Sequence, residues 1–270
     1  MTYSLEYKTP KSMLNKGTGF LSGYSHSLNP YSGCSFGCSY CYVRRMPVAT
    51  FREKAWGTWV DVKHGAADVF RKELARARKK GPVTIFMSSS PYQPAEATER
   101  ITRSLLEAMA ELPPDFLLVQ TRSPLVKRDI DLLLRLGDRV RVSMTVETDR
   151  EDIRRHFTPG TPPIEARLRT LKLLKEAGVP AQATIAPVLP STDAFPSKLR
   201  PLVDRVCIDD YFMGDGSGGK RTRSLGIERL YGEIGLKEWY DPGAYRTVYE
   251  RFIGTFPKDR VFLSQKGFEP

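Results

Sequence analysis

Cys34-Ser35-Phe36-Gly37-Cys38-Ser39-Tyr40-Cys41 sets three cysteines in one short stretch, with an aromatic residue directly before the last. Three thiolates this close can cap three corners of a cubane iron–sulfur cluster. No fourth cysteine follows nearby, so the fourth iron is left open to a small molecule that offers nitrogen and oxygen atoms. A structural zinc site is the alternative, but zinc wants four ligands, usually as two close pairs. The remaining cysteine, Cys207, is distant in the chain, and His26, His64 and His156 fall at no ligand spacing from the triplet. A disulfide framework fails too: three cysteines cannot pair among themselves, and the polar stretch from Met1 to Pro10 is no secretory signal.

The chain of 270 residues suits one large domain, and a single α/β barrel often needs about 250. No apolar run reaches membrane-spanning length. A reducing, cytoplasmic setting is expected, as oxygen-sensitive cluster chemistry requires. Lysine and arginine outnumber the acids 42 to 31, for a net charge of +11. Such a balance favours polyanion partners, nucleic acid above all; a basic surface with no such partner is the plainer account. The basic residues gather at Arg71-Lys72, Arg76 and Arg78-Lys79-Lys80, and again at Lys220-Arg221 and Arg223. The first group falls on a helical pattern and reads equally well as its solvated face.

Strands and helices alternate after the cysteines. Helical periodicity runs from Ala66 to Lys80, 95 to 112, 129 to 136, 164 to 177 and 243 to 253. Buried strands are predicted at Val83–Met87, 116–120, 140–146, 181–186, 206–208 and 261–263. Repeated β–α units mean a parallel sheet with helices outside, here an α/β fold of the partial, TIM-like (β/α)6 barrel type, with active groups at the carboxyl ends of the strands. One domain, 1–270, is expected: an irregular lead-in (1–26), a cluster loop (27–46) and a lid region (211–240).

The C-x3-C-x-aromatic-C pattern resembles the signature of the radical S-adenosylmethionine superfamily. The resemblance implies a [4Fe–4S] cluster on Cys34, Cys38 and Cys41 and S-adenosylmethionine on the open iron. It also implies an external electron donor and a 5′-deoxyadenosyl radical that abstracts hydrogen from a substrate. Polar groups at the predicted strand ends suit such a cofactor: Ser88-Ser89-Ser90, Gln120 to Ser123 with Arg122, then Ser143, Thr145 and Glu147, and the exit after Ala186. Hydroxyls would serve the ribose, Arg122 the methionine carboxylate and backbone the adenine. Serines and threonines that merely satisfy turns and helix starts are the competing account.

Asn29-Pro30-Tyr31-Ser32-Gly33-Cys34, Cys41-Tyr42, Pro91 to Glu96, Thr121-Arg122-Ser123-Pro124-Leu125 and Phe157-Thr158-Pro159-Gly160 are similar to the spore photoproduct lyase group. By that resemblance Ser90, Arg122 and Ser143 stand where the lyases contact S-adenosylmethionine, with arginine in place of lysine. Ser88 stands where the lyases carry their hydrogen-donating cysteine, and a serine O–H bond is too strong for that role. Tyr42 keeps the lyases' tyrosine, and most of their N-terminal extension is missing, so thymine-dimer reversal is not expected. Cys207 is a substitute donor or a small core residue in Val206-Cys207-Ile208. The stretch Met213 to Arg221, rich in glycine, is a phosphate cradle, a lid or a surface loop, with Asp209-Asp210-Tyr211 beside it at the mouth. A nucleic acid or nucleotide-like substrate is expected. A small metabolite or peptide is the alternative, and a non-catalytic, metal-bearing nucleic-acid-binding module is a third reading.

Overall fold

The computed structural model describes residues 3–88 and 90–270. Eleven strands appear among them: β1 Ser4–Lys8, β2 Leu14–Lys16, β3 His26–Leu28, β4 Tyr31–Gly33, β5 Trp59–Lys63, β6 Thr84–Met87, β7 Phe116–Thr121, β8 Val140–Thr145, β9 Ala181–Ile185, β10 Val206–Ile208 and β11 Val261–Leu263. The large sheet runs β2-β3-β6-β7-β8-β9-β10-β11, parallel from β3 to β11, with β2 antiparallel at one edge. It curls as an open barrel. A small sheet, β1-β5-β4, leads straight from Gly33 into the cluster loop.

The lead-in is not irregular. It supplies β1 and β2 and opens β3, which pairs with β6 as the first parallel strand. Three-residue strands are too short to show a period, and the sheet supplies their partners. β5 and the helix Glu151–Phe157 were also missed in the sequence.

Strand alternation separates two interiors. Ile85, Met87, Leu117, Val119, Val142, Met144, Ala183, Ile185, Val206 and Ile208 point outward into the core beneath the helices. That core includes Phe70 and Leu74 of the helix Ala66–Arg78 and Leu105 and Met109 of the helix Ile101–Glu111. Phe86, Leu118 and Cys207 point inward and meet Tyr24 and Phe268, which close the amino end.

The long helix expected from 95 to 112 is broken at Arg100, where φ is +53°. The buried carboxylate of Glu96 accepts from the amides of Thr102 (2.8 Å) and Arg103 (3.2 Å), starting a second helix there.

Candidate active site

At the carboxyl ends of the strands lies a cavity of about 750 Å³, a size usual for ligand sites. Cys34, Cys38 and Cys41 line one wall. Their loop is pinned from below by the last residue of the helix Glu151–Phe157 and the segment after it: the Ser39 amide donates to the Phe157 carbonyl at 3.1 Å. Gly160 lies so close that a Cβ there would meet the Phe36 carbonyl oxygen at 2.7 Å. This contact and the Ser39 bond tie the Phe157 to Gly160 stretch to the cysteine loop.

Burial raises all three thiols, Cys38 to about 11 and Cys41 to about 12, with the Arg122 charge working the other way. A cationic group must therefore displace their protons to be bound. Among the described residues no three His, Cys, Asp or Glu side chains converge tightly enough to hold a single metal ion. Three free thiols facing one cavity fit a larger, thiolate-ligated group better than one zinc.

Two predicted residues touch the sulfurs. Ser90 and Cys34 are 3.1 Å apart through Oγ and Sγ. Arg122 Nη1 donates to Cys38 Sγ at 3.1 Å, to Tyr40 Oη at 2.9 Å and to Glu147 Oε1 at 2.6 Å. Tyr40 also donates to Glu147 Oε1 at 2.6 Å, so the aromatic of the motif belongs to this network. Behind it the fully buried Arg167 holds Glu147 Oε2 at 2.6 Å and Thr161 Oγ1 at 2.7 Å. The two guanidinium groups offset the burial of Glu147 and hold its carboxyl down at about 2. The partnership of Tyr40 and Arg167 was not legible in the sequence: they are separated from Glu147 by 107 and 20 positions.

Ser88, Ala186 and Tyr42 also line the cavity. Ser88 Oγ donates to Asn29 Oδ1 at 3.0 Å. Tyr42, 38% exposed, stands beside Cys41. Ser143 and Thr145 do not line it. They lie one layer down inside the barrel, where Ser143 meets Thr184 and accepts from Gln182 Nε2 at 3.0 Å, and Thr145 accepts from Gln120 Nε2 at 2.7 Å. Their hydroxyls are spent on neighbouring strands rather than offered to a ligand. Cys207, level with Thr184 and Thr145 by strand register, is fully buried in a cluster with Phe86, Leu118 and Phe268. Ser89 lies outside the described residues.

The far wall is acidic. Asp209 and Asp210 each keep one buried carboxylate oxygen without a hydrogen-bond partner. Burial pushes Asp209 up to about 7. The glycine-rich stretch is knit around a different acid: Asp215 accepts from the amides of Ser217 (2.7 Å) and Gly219 (3.0 Å). Its own carboxylate takes up these loop amides. Residues 211–240 form short helices whose Tyr211, Ile227 and Tyr231 pack with the cluster loop. The two basic groups part company. Lys79 and Lys80 precede β6 at its amino end, opposite the cavity, whereas Lys220, Arg221 and Arg223 form the short helix that follows Gly219 at the mouth.

The Radical SAM superfamily model matches residues 28–194. The chain belongs to that superfamily. It is similar to an uncharacterized protein of Methanocaldococcus jannaschii, 31% identical over 173 residues, which are 63% of this chain and 62% of that relative. An uncharacterized protein of Mycobacterium tuberculosis is 31% identical over 188 residues, 67% of this chain and 54% of the relative. The chain thus spans about half to six-tenths of these relatives' length. Spore photoproduct lyase complexed with dinucleoside spore photoproduct shares the fold at a TM-score of 0.66 and 15% identity, over 96% of this chain and 81% of that one. SuiB of Streptococcus suis bound to S-adenosylmethionine follows at 0.51 and 16% identity, over 78% and 44%. The fold is thus the spore photoproduct lyase-like radical SAM fold.

Proposed function

We propose that this protein is an enzyme that holds a [4Fe–4S] cluster on Cys34, Cys38 and Cys41 and uses it to cleave S-adenosylmethionine reductively. The observation that carries this reading is the convergence of three buried thiols, Ser90 and Arg122 on one cavity at the strand ends. Cys34, Cys38 and Cys41 would hold the cluster, which would supply one-electron chemistry from an external donor for reductive cleavage of S-adenosylmethionine to methionine and for hydrogen abstraction from the substrate.

The chain's own residues orient and shield. All the hydrogen bonds of Arg122 to the described residues run through Nη1, and Nη2 makes none among them. That leaves a donor on the cavity wall for the methionine carboxylate. Ser88 and Ser90 offer hydroxyls, and Ala186 offers backbone, on the same wall. Ser143 and Thr145 act beneath them by holding β8 and its neighbours together. Cys207 does not line the cavity and packs with Phe86, Leu118 and Phe268. Tyr42 is the better hydrogen-relay residue: Tyr31 and Tyr40 bond their hydroxyls to Glu96 and Glu147, whereas Tyr42 has no partner among the described residues. No described helix is long and apolar enough to cross a membrane, and a reducing compartment such as the cytoplasm suits the thiols.

For substrate we propose a nucleic acid or nucleotide-like molecule. The +11 charge and the three cations at the mouth support it, as does the dinucleoside bound by the fold relative. The test is anaerobic incubation with reductant, S-adenosylmethionine and either DNA, RNA or nucleotides. The substrate should raise 5′-deoxyadenosine formation severalfold, and charge reversal at Lys220 and Arg223 should weaken binding more than reversal at Lys79 and Lys80. No stimulation and no binding at low salt would overturn the nucleic-acid reading in favour of a small metabolite or peptide.

A further inference from the structure

We infer that Arg122 makes the cluster easier to reduce by donating to the Cys38 sulfur, and that Tyr40, Glu147 and Arg167 position it for that task. This rests on the cluster proposed above.

The three sulfurs are not treated alike. Cys34 faces the neutral hydroxyl of Ser90, whereas Cys38 faces a guanidinium at 3.1 Å. The same Arg122 nitrogen is fixed from two other sides by Tyr40 and by Glu147. Glu147 is in turn fixed by Arg167, whose side chain has 0% exposure against 2% for the glutamate. Two guanidinium groups against one carboxylate leave one positive charge in a desolvated pocket beside the sulfurs. Every electron added to a thiolate-ligated cluster adds negative charge to it. A fixed cation and an N–H···S bond stabilise the reduced form more than the oxidised one, and low dielectric magnifies the difference. Arg122 thus favours reduction, and the nearby carboxylate of Glu147 opposes it while holding the arginine in place.

The opposite signs make the idea testable. The midpoint potential of the cluster is measured anaerobically by EPR-monitored redox titration, without S-adenosylmethionine, so that cofactor binding does not enter. Iron content is measured on the same samples. Arg122→Met should shift the potential to more negative values, Glu147→Gln to more positive values, and Arg122→Lys should fall between Arg122→Met and the parent. A role confined to structure would move all variants together, through loss of iron. Equal potentials, or shifts of one sign, in variants that keep their iron would overturn the inference and leave the cluster assignment standing. Should Arg122→Met lose its iron, the sign of Glu147→Gln decides: a negative or absent shift overturns it. A parent protein that takes up no cluster would overturn the assignment and the inference together.

Discussion

At the amino end of the barrel the inner face is filled. Tyr24 bonds the Phe268 carbonyl, Gln182 Nε2 donates to the Gly267 carbonyl at 3.0 Å, and Arg205 lies 3.6 Å over the Phe262 ring while bonding Gln182. At the carboxyl end the same strands stop below a cavity whose walls keep polar atoms free: one oxygen each of Asp209 and Asp210, and the guanidinium edge of Arg122. Both ends hold buried cysteine and partly buried arginine. They differ in what satisfies those groups. Below, Tyr24, Gln182 and Arg205 have protein partners, and Cys207 packs with Phe86, Leu118 and Phe268. Above, groups that cost free energy to bury are left incompletely paired, and such groups are retained where a ligand completes them.

The contrast is broken most directly by cysteine. Cys38→Ala should abolish cluster binding, taking iron from about four per chain to near none, since two thiolates cannot hold the cubane. Cys207→Ala should keep its iron and its cofactor cleavage, at a stability cost of about 1–2 kcal/mol. Iron analysis beside chemical denaturation decides it. Loss of cleavage in Cys207→Ala with iron intact would return that thiol to the mechanism.

Glycine sharpens the same comparison. A Cβ at Gly267 would meet Cys207 Sγ at 2.2 Å, and one at Gly160 would meet the Phe36 carbonyl at 2.7 Å. Each alanine should cost about 1–3 kcal/mol by overpacking. Gly160→Ala alone should also lower cluster retention on dilution, because it displaces the backbone between Cys34 and Cys38. Equal iron retention in the two variants would mean that the cluster loop does not depend on its support from below.

The smallest expected effect is that of pH. Burial holds Asp209 near 7, so the folded chain keeps this proton more firmly than the unfolded chain does. The resulting stability is fully present below the ordinary carboxylate value of about 4 and is lost as pH rises through about 7. Asp209→Asn, neutral throughout, should flatten the decline in stability between those values. Parallel pH–stability curves for the two proteins would contradict it.

The cysteine spacing pointed to the superfamily in the sequence, and the hydrophobic runs showed the parallel sheet, because both are local patterns. The short strands β1, β2 and β3 were not legible, since three to five residues show no period until a partner strand supplies the bonds. Ser143 and Thr145 looked available because their strand ends at the mouth; the register of β8 with β7 and β9 spends their hydroxyls. The break at Arg100 was hidden for a similar reason. It depends on a carboxylate turned back onto amides six and seven positions on, within a pattern that reads as one helix. Asp215 took over the glycine-rich loop through bonds that composition does not show.

The central claim is that the open end of this barrel cleaves S-adenosylmethionine. Protein purified and reconstituted without oxygen, given a strong reductant and S-adenosylmethionine, should yield 5′-deoxyadenosine and methionine in equal amounts, and Cys38→Ala should yield neither. Tight cofactor binding with no 5′-deoxyadenosine, or one zinc per chain in place of iron, would contradict it.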